Sequence, residues 1–294
     1  MKIIQYWKLW LVISALVTIP GLIGLGAWGL NLGIDFEGGT LIEVQFPGKD
    51  SVNIDDVKAV FEKQGIVGGQ YSTTASNTIL ARTHTIDTTK YRELSGQLKE
   101  KIGETKELRF EVVGPTVSRD LARKAVLAVI FACFAIVLYI AWAFRTVPRE
   151  YSSWKFGMSA IVALIHDLLV VIGIFAILGH YLHVEVDSLF ITALLTVLGF
   201  SVHDTIVVFD RIRENTRRMT GGIAEIANQS IAETMARSIN TSATVLFALL
   251  ALLLFGGKSI FWFIFALTIG IVTGTYSSIF VASVAVVLWH KKAK

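Results

Sequence analysis

The sequence predicts an all-α membrane bundle of six transmembrane helices, with a small external α+β domain of ferredoxin-like type between the first helix and the second. Three observations predict it. Of the 294 residues 53% are hydrophobic and only 17% are charged, below the roughly 25% usual for soluble chains, and the mean hydropathy is +0.61. The apolar residues are gathered into six runs, each near the ~20 residues that a bilayer core demands at ~1.5 Å per residue. One long stretch, residues 31–118, has instead a soluble composition.

The runs lie near Leu9–Leu30, Ala122–Phe144, Phe156–Leu178, Ser188–Phe209, Thr241–Phe255 and Ile260–Trp289. The fifth is short and is expected to extend into the polar residues before Thr241. The sixth is long enough to be tilted or frayed at its start. Lys2 and Lys8 flank the first run, but its apolar stretch exceeds the usual signal-peptide core and no A-x-A site follows, so it is read as an uncleaved span. The expected division is residues 1–30 for the first span, 31–118 for the external domain, and 119–294 for spans two to six with an amphipathic cytoplasmic segment near 211–237.

The net charge of +4 reads as topology, not as a nucleic-acid signal, because the basic residues border apolar runs. Arg145, Arg149 and Lys155 lie between spans two and three. Arg211, Arg213, Arg217, Arg218 and Arg237 lie between spans four and five, and Lys291, Lys292 and Lys294 end the chain. The opposite loops, HYLHVEVD and GGKS, hold only Lys258. This asymmetry places both termini in the cytoplasm and residues 31–118 outside. Trp142, Trp154 and Trp289 fall near the cytoplasmic interface, where an indole is well accommodated. The one cysteine, Cys133, sits in span two as a small apolar side chain.

In the external stretch, GTLIEVQF alternates as a strand does. IDDVKAVFEKQG places Ile54, Val57, Val60 and Phe61 at helical spacing. Gly68-Gly69 marks a turn and NTILARTHTI is strand-like. DTTKYRELSGQLKEKIG is a helix with Asp87 as N-cap and Gly103 as stop, and ELRFEVVGP is a last strand. Gln70–Ser76 fits neither pattern. The order suggests a ferredoxin-like sandwich. No catalytic arrangement stands out there, and His84 reads as a solvated strand residue. Such a domain between two spans is expected to contact a partner protein or a substrate chain.

The informative residues are the ionisable ones in apolar runs. His166 and Asp167 lie near the middle of span three, and Asp204 lies in the cytoplasmic half of span four with His203 beside it. A charged carboxylate at that depth costs several kcal/mol unless it is neutral, paired or wet. Two readings follow: a structural hydrogen-bond network between helices, or a proton or ion path. Arg237 at the start of span five is a candidate cation for Asp204, and Ser238, Asn240, Thr241, Ser242 and Thr244 can line a wet helix contact. Glycines 24, 26, 173, 199, 270 and 274 allow close helix packing. After span four, the Gly221-Gly222 turn separates two helical pieces. The second, with Ile223, Ile226, Ala227 and Ile231 on one side, is expected to lie on the cytoplasmic face before span five rises. Basic residues there can touch anionic membrane lipid.

Five blocks, in order, resemble those of the SecF subunits of the SecD/SecF family, in the resistance-nodulation-division superfamily. They are GIDFEGGT, VGPTVSRDL, ALIHDLLVVIGIFAI, GFSVHDTIVVFDRIREN and RSINTSATVLFALLALLLFGG. The resemblance runs from about residue 33 to the C-terminus. It implies a SecD-type partner subunit with six spans of its own, action with the SecYEG channel on a translocating polypeptide, and use of the proton-motive force. It implies no cofactor and no enzyme activity. The residues it assigns to proton transport correspond to Asp204 and Arg237. On the proton-path reading of the intramembrane acids, His166 and Asp167 are expected as intermediate stations, with protons entering along the face shared by spans three to five. Two positions depart from or vary within the pattern: His203, where asparagine or serine is common, and Glu37 in the GxDFxGGT block. His203 thereby becomes a second titrating group adjoining Asp204. A stand-alone exporter of lipid or small molecules, acting as a homodimer, is the alternative. A metal enzyme built on the His166-Asp167 and His203-Asp204 doublets would need about three ligands and an open position, and no HExxH is present.

Overall fold

The computed structural model describes residues 3–75, 77–145 and 153–291. Lys2, Arg149, Lys292 and Lys294, used above for the orientation, and Ser76 lie outside these residues. The elements run α1 (Trp7–Trp28), α2 (Ile34–Glu37), β1 (Gly39–Gln45), α3 (Ile54–Lys63), β2 (Gln70–Ala75), β3 (Thr78–Thr83), α4 (Thr88–Lys101), β4 (Lys106–Val113), α5 (Pro115–Ala143), α6 (Ser153–Leu182), α7 (Ser188–Arg218), α8 (Ile223–Phe255), α9 (Phe261–Ser277) and α10 (Ser283–Lys291). A π turn, Ser278–Ala282, joins the last two. Among the described residues, six helical segments are long and apolar enough to cross a membrane: Ile3–Trp28, Pro115–Ala143, Trp154–Leu182, Ser188–Arg218, Ile223–Phe255 and Lys258–His290. The chain forms two compact units, Met1–Asn31 with Val126–Lys294, and Leu32–Ala125.

The smaller unit holds a four-stranded sheet in the order β2-β3-β1-β4, with every neighbouring pair antiparallel. With one helix after β1 and another after β3, this is the ferredoxin-like sandwich the strand and helix order suggested. Its core joins Ile42, Val44 and Phe46 of the first strand region to Phe61 of α3 and Leu94 and Leu98 of α4. Asp87 caps α4 by accepting from the Lys90 amide at 2.7 Å, and Asn53 does the same for α3 through the Asp55 amide at 3.0 Å. The stretch that fitted neither pattern is the edge strand β2. Its Tyr-Ser-Thr-Thr run has no apolar alternation because one edge of it faces away from any strand. Tyr91 stacks on Phe110 at 4.1 Å and donates to Glu107 at 2.7 Å. Burial and that carboxylate together push its phenol above the ordinary range.

The two glycines of GIDFEGGT have a backbone reason. Gly38 closes α2 at φ 81°, and Gly39 opens β1 at φ 127°. A Cβ on Gly39 would lie 2.5 Å from the Thr83 carbonyl oxygen, a backbone atom that the β1–β3 ladder holds in place. Gly39→Ala is therefore expected to destabilise the external unit by about 1–3 kcal/mol or more. The check is limited proteolysis of the membrane-inserted protein: cleavage within residues 40–113 should rise well above wild type. Unchanged resistance would contradict the account.

In the larger unit α6, α7 and α9 carry most of the burial, while α1, α5 and α8 expose most of their apolar surface. Phe156 of α6 meets Phe144 at 5.8 Å and Phe209 of α7 at 5.3 Å, all three fully or nearly buried. α1 lies on α6 where Gly21 and Gly173 face each other: a Cβ on Gly173 would sit 2.6 Å from Gly21 Cα. α7 and α8 are pinned together at one end. Arg211 binds both Glu214 and Glu233, and the Asn215 amide donates to Glu233 at 2.9 Å and to Ser230 at 3.0 Å.

This pinned end changes one expectation. The amphipathic piece from Ile223 is not a separate segment ahead of span five. It is the first third of a single unbroken 33-residue helix. Its apolar side (Ile226, Ala227, Ile231) is buried in the main core instead of facing a membrane surface. The polar residues before Thr241 do belong to the fifth helix, as its short apolar run required. The sixth span opens with a 3₁₀ turn, Lys258–Ile260, where a frayed start was expected.

Candidate functional site

Asp167 is fully buried at the centre of the larger unit. Its Oδ2 accepts from Ser201 Oγ of α7 at 2.5 Å and from Ser277 Oγ of α9 at 2.7 Å. Its Oδ1 lies 3.0 Å from His166 Nδ1. Three helices thus converge on one carboxyl group, and their close approach depends on Gly274. A Cβ there would come 3.0 Å from Ser201 Cβ. His166 turns its Nε2 into the protein, where it is buried without a hydrogen-bond partner among the described residues.

Ser278 continues the polar contact. Its hydroxyl pairs with Thr205 at 2.8 Å, donates to the Gly274 carbonyl at 2.8 Å and lies 3.2 Å from the Ser201 carbonyl. Ser277 and Ser278 both point inward although they are adjacent in sequence. A π turn begins at Ser278, and such turns concentrate at functional sites. The Ser283 hydroxyl accounts for one of its carbonyls by donating to Ser278 O at 3.2 Å.

Asp204 is 6% exposed and stands on α7 one turn beyond Ser201, facing α8. Ser238 of α8 is buried as well, and Asp204 Oδ2 and Ser238 Oγ each lack a hydrogen bond among the described residues. Four residues on, Ser242 reaches α9 through Thr275 at 2.5 Å.

The structure therefore separates the candidate residues into two groups. It brings His166 and Asp167 together, and it sets Asp204 against α8. Arg237 is exposed, one residue from inward-facing Ser238, and no ion pair joins it to Asp204 among the described residues. His203, next to Asp204 in sequence, is exposed as well. Asp167 on span three takes its serine partners from spans four and six. Ser201, Ser277, Ser278 and Thr205 were not anticipated. The signal available for Ser277 and Ser278 was the run TYSSIFVAS in an otherwise apolar span.

A bundle of apolar helices long enough to cross a membrane defines a class: multi-pass membrane proteins. The comparisons with known proteins narrow it. Residues 94–292 match the family "Protein export membrane protein SecD/SecF, C-terminal", and residues 25–46 match the "SecD/SecF GG Motif". The chain is 46% identical to the protein translocase subunit SecF of Thermobaculum terrenum, over 99% of this chain and 94% of that one. With the protein translocase subunit SecF of Anaerolinea thermophila the identity is 44%, over 96% and 92%. It also matches the crystal structure of SecDF, a translocon-associated membrane protein from Thermus thermophilus, with a TM-score of 0.86 and 32% identity. All of this chain is covered there, but it spans only 39% of that SecDF chain. The chain belongs to the SecD/SecF protein-export family, among its SecF subunits.

Proposed function

We propose that the chain is one half of a SecD–SecF pair that draws on the proton-motive force to assist polypeptide movement through the SecYEG channel. It lies in the bacterial plasma membrane with both termini in the cytoplasm and its ferredoxin-like domain outside. The asymmetry of basic residues among its loops supports that direction.

The observation that carries the proton-coupled reading is Asp204. Its carboxyl is buried, its Oδ2 is unsatisfied, and no lysine or arginine pairs with it among the described residues. Neutral, such a group sits in the bundle at modest cost. Charged, it demands a cation or water. Its two protonation states therefore ask different things of the helices around it, and that difference is what a proton gradient can act on. Arg237 and His203 lie on exposed surfaces of α8 and α7, flanking the buried acid. A second six-span bundle laid against that side would give both a counterpart and let Arg237 answer the charge on Asp204. The external domain holds the emerging chain against back-sliding.

This reading requires the partner. The protein purified from native membranes is expected to migrate as a 1:1 complex with a SecD-type subunit, as size-exclusion chromatography with light scattering would show. Recovery as a lone monomer would remove the proposal's basis.

A further inference from the structure

We infer that Asp167 is a second proton-holding site, separate from Asp204, and that the π turn of span six reads its charge through Ser277. The inference deepens the proton-coupled reading, but its test is independent of export, so either can fail alone.

The geometry at Asp167 accommodates a proton without moving a heavy atom. With the site unloaded, His166 is neutral and donates Nδ1–H to Oδ1, while Ser201 and Ser277 donate to Oδ2. The carboxylate then has three donors and the pair carries one negative charge. One added proton enters at His166 Nε2, the buried ring nitrogen with no partner among the described residues. The Nδ1 proton then either stays, leaving an imidazolium beside a carboxylate, or crosses the 3.0 Å to Oδ1. In the second case the pair is a neutral imidazole and a neutral acid. The loaded pair has no net charge in either form. Ionisable groups from the surrounding elements are few among the described residues. Tyr276 of α9 has its ring centroid 6.3 Å from that of His166, and its hydroxyl is committed to the Trp10 carbonyl at 2.6 Å. Asp204 lies one turn along α7. α1, packed on α6, adds the uncharged Ser14 hydroxyl, 3.5 Å from Tyr276.

Loading alters the pull on span six. A hydrogen bond to a carboxylate is roughly twice as strong as one to a neutral group. The unloaded site thus holds Ser277 firmly, and with it the residue just before the π turn. Once Asp167 is neutral that hold weakens. The turn carries one residue more than an α-helical turn, and it can then pass along α9–α10 or resolve. Ser277 is in this sense a positioning residue, and Asp167 is the group that takes the proton.

The test uses the full chain with its partner in lipid vesicles. Infrared difference spectra across a pH titration should show the carbonyl stretch of a protonated carboxyl that disappears in Asp167→Asn and persists in Asp204→Asn. Ser277→Ala removes a donor to the charged form, so that band should survive to a pH higher by about one unit, tenfold in the equilibrium. Ser277→Thr should restore the wild-type midpoint, and Ser201→Ala provides a second variant should Ser277→Ala fail to fold. Hydrogen exchange over residues 274–283 should be faster at the loaded end in wild type and independent of pH in Asp167→Asn. A carboxyl band untouched by Asp167→Asn, or exchange in that segment that does not follow the titration, overturns the inference.

Discussion

Asp204→Asn is expected to abolish the stimulation of export by a proton gradient while leaving ATP-driven export, folding and partner binding intact. Asparagine keeps the size of the side chain and its capacity to meet Ser238. What it loses is the second protonation state. Asp204 has no lysine or arginine paired with it and no hydrogen bond on Oδ2 among the described residues, so little of the bundle's stability depends on its charge. The loss should therefore be functional. Arg237→Met should give the same phenotype from the exposed side of α8. Export of a secreted precursor into inverted vesicles, with ATP supplied and with or without a gradient, measures both. Full gradient-dependent stimulation in an Asp204→Asn protein assembled normally with its partner would falsify the mechanism.

Gly173→Val is expected to detach the first span from the bundle. Gly21 and Gly173 meet backbone to backbone, and even the Cβ of alanine would fall 2.6 Å from Gly21 Cα. The obstruction is main chain, so no rotamer change relieves it. Overpacking by one or two methyl groups costs about 1–3 kcal/mol in an adaptable core. Here valine should exceed that range, and alanine should fall within it. Little else substitutes for the lost contact, because most of the apolar surface of α1 faces away from the bundle. Melting temperature in detergent should fall in the order wild type, Ala, Val. Cross-linking between cysteines placed at residues 22 and 174 should fall in parallel. A valine variant as stable as wild type would show that α1 shifts freely along α6.

Much of this architecture could be read from the residues because its causes are local. Apolar length sets a span, and alternation sets β1 and β3. Asp87 sets the start of α4 through one hydrogen bond. The unread parts depend on neighbours that are distant in the chain. β2 is polar because it is an edge, a property of its place in the sheet and not of its own pattern. The piece from Ile223 is amphipathic because α7 and the N-terminal segment cover it, which looks in sequence the same as cover by a membrane surface. At the centre of the bundle, the two acids were visible as charges in apolar runs, but their surroundings were not. Helical periodicity says which residues share a face and is silent about which helix lies opposite. Serine is common enough in membrane helices that Ser201 and Ser277 carry no label.

The pinned junction of α7 and α8 sets the scale of any movement between them. Arg211, Asn215, Ser230 and Glu233 tie the helices together beyond Asp204, which makes that end a fulcrum. Asp204 is seven residues from Arg211, or ~10 Å along the axis, while the far end of α7 at Ser188 is ~35 Å away. An opening of about 5° about the fulcrum therefore parts the helices by only ~1 Å at Asp204 but by ~3 Å, the width of a water molecule, at the distant end. Asp204 thus stands near the closed corner of the hairpin, where a displacement of about 1 Å is enough to change what its carboxyl touches.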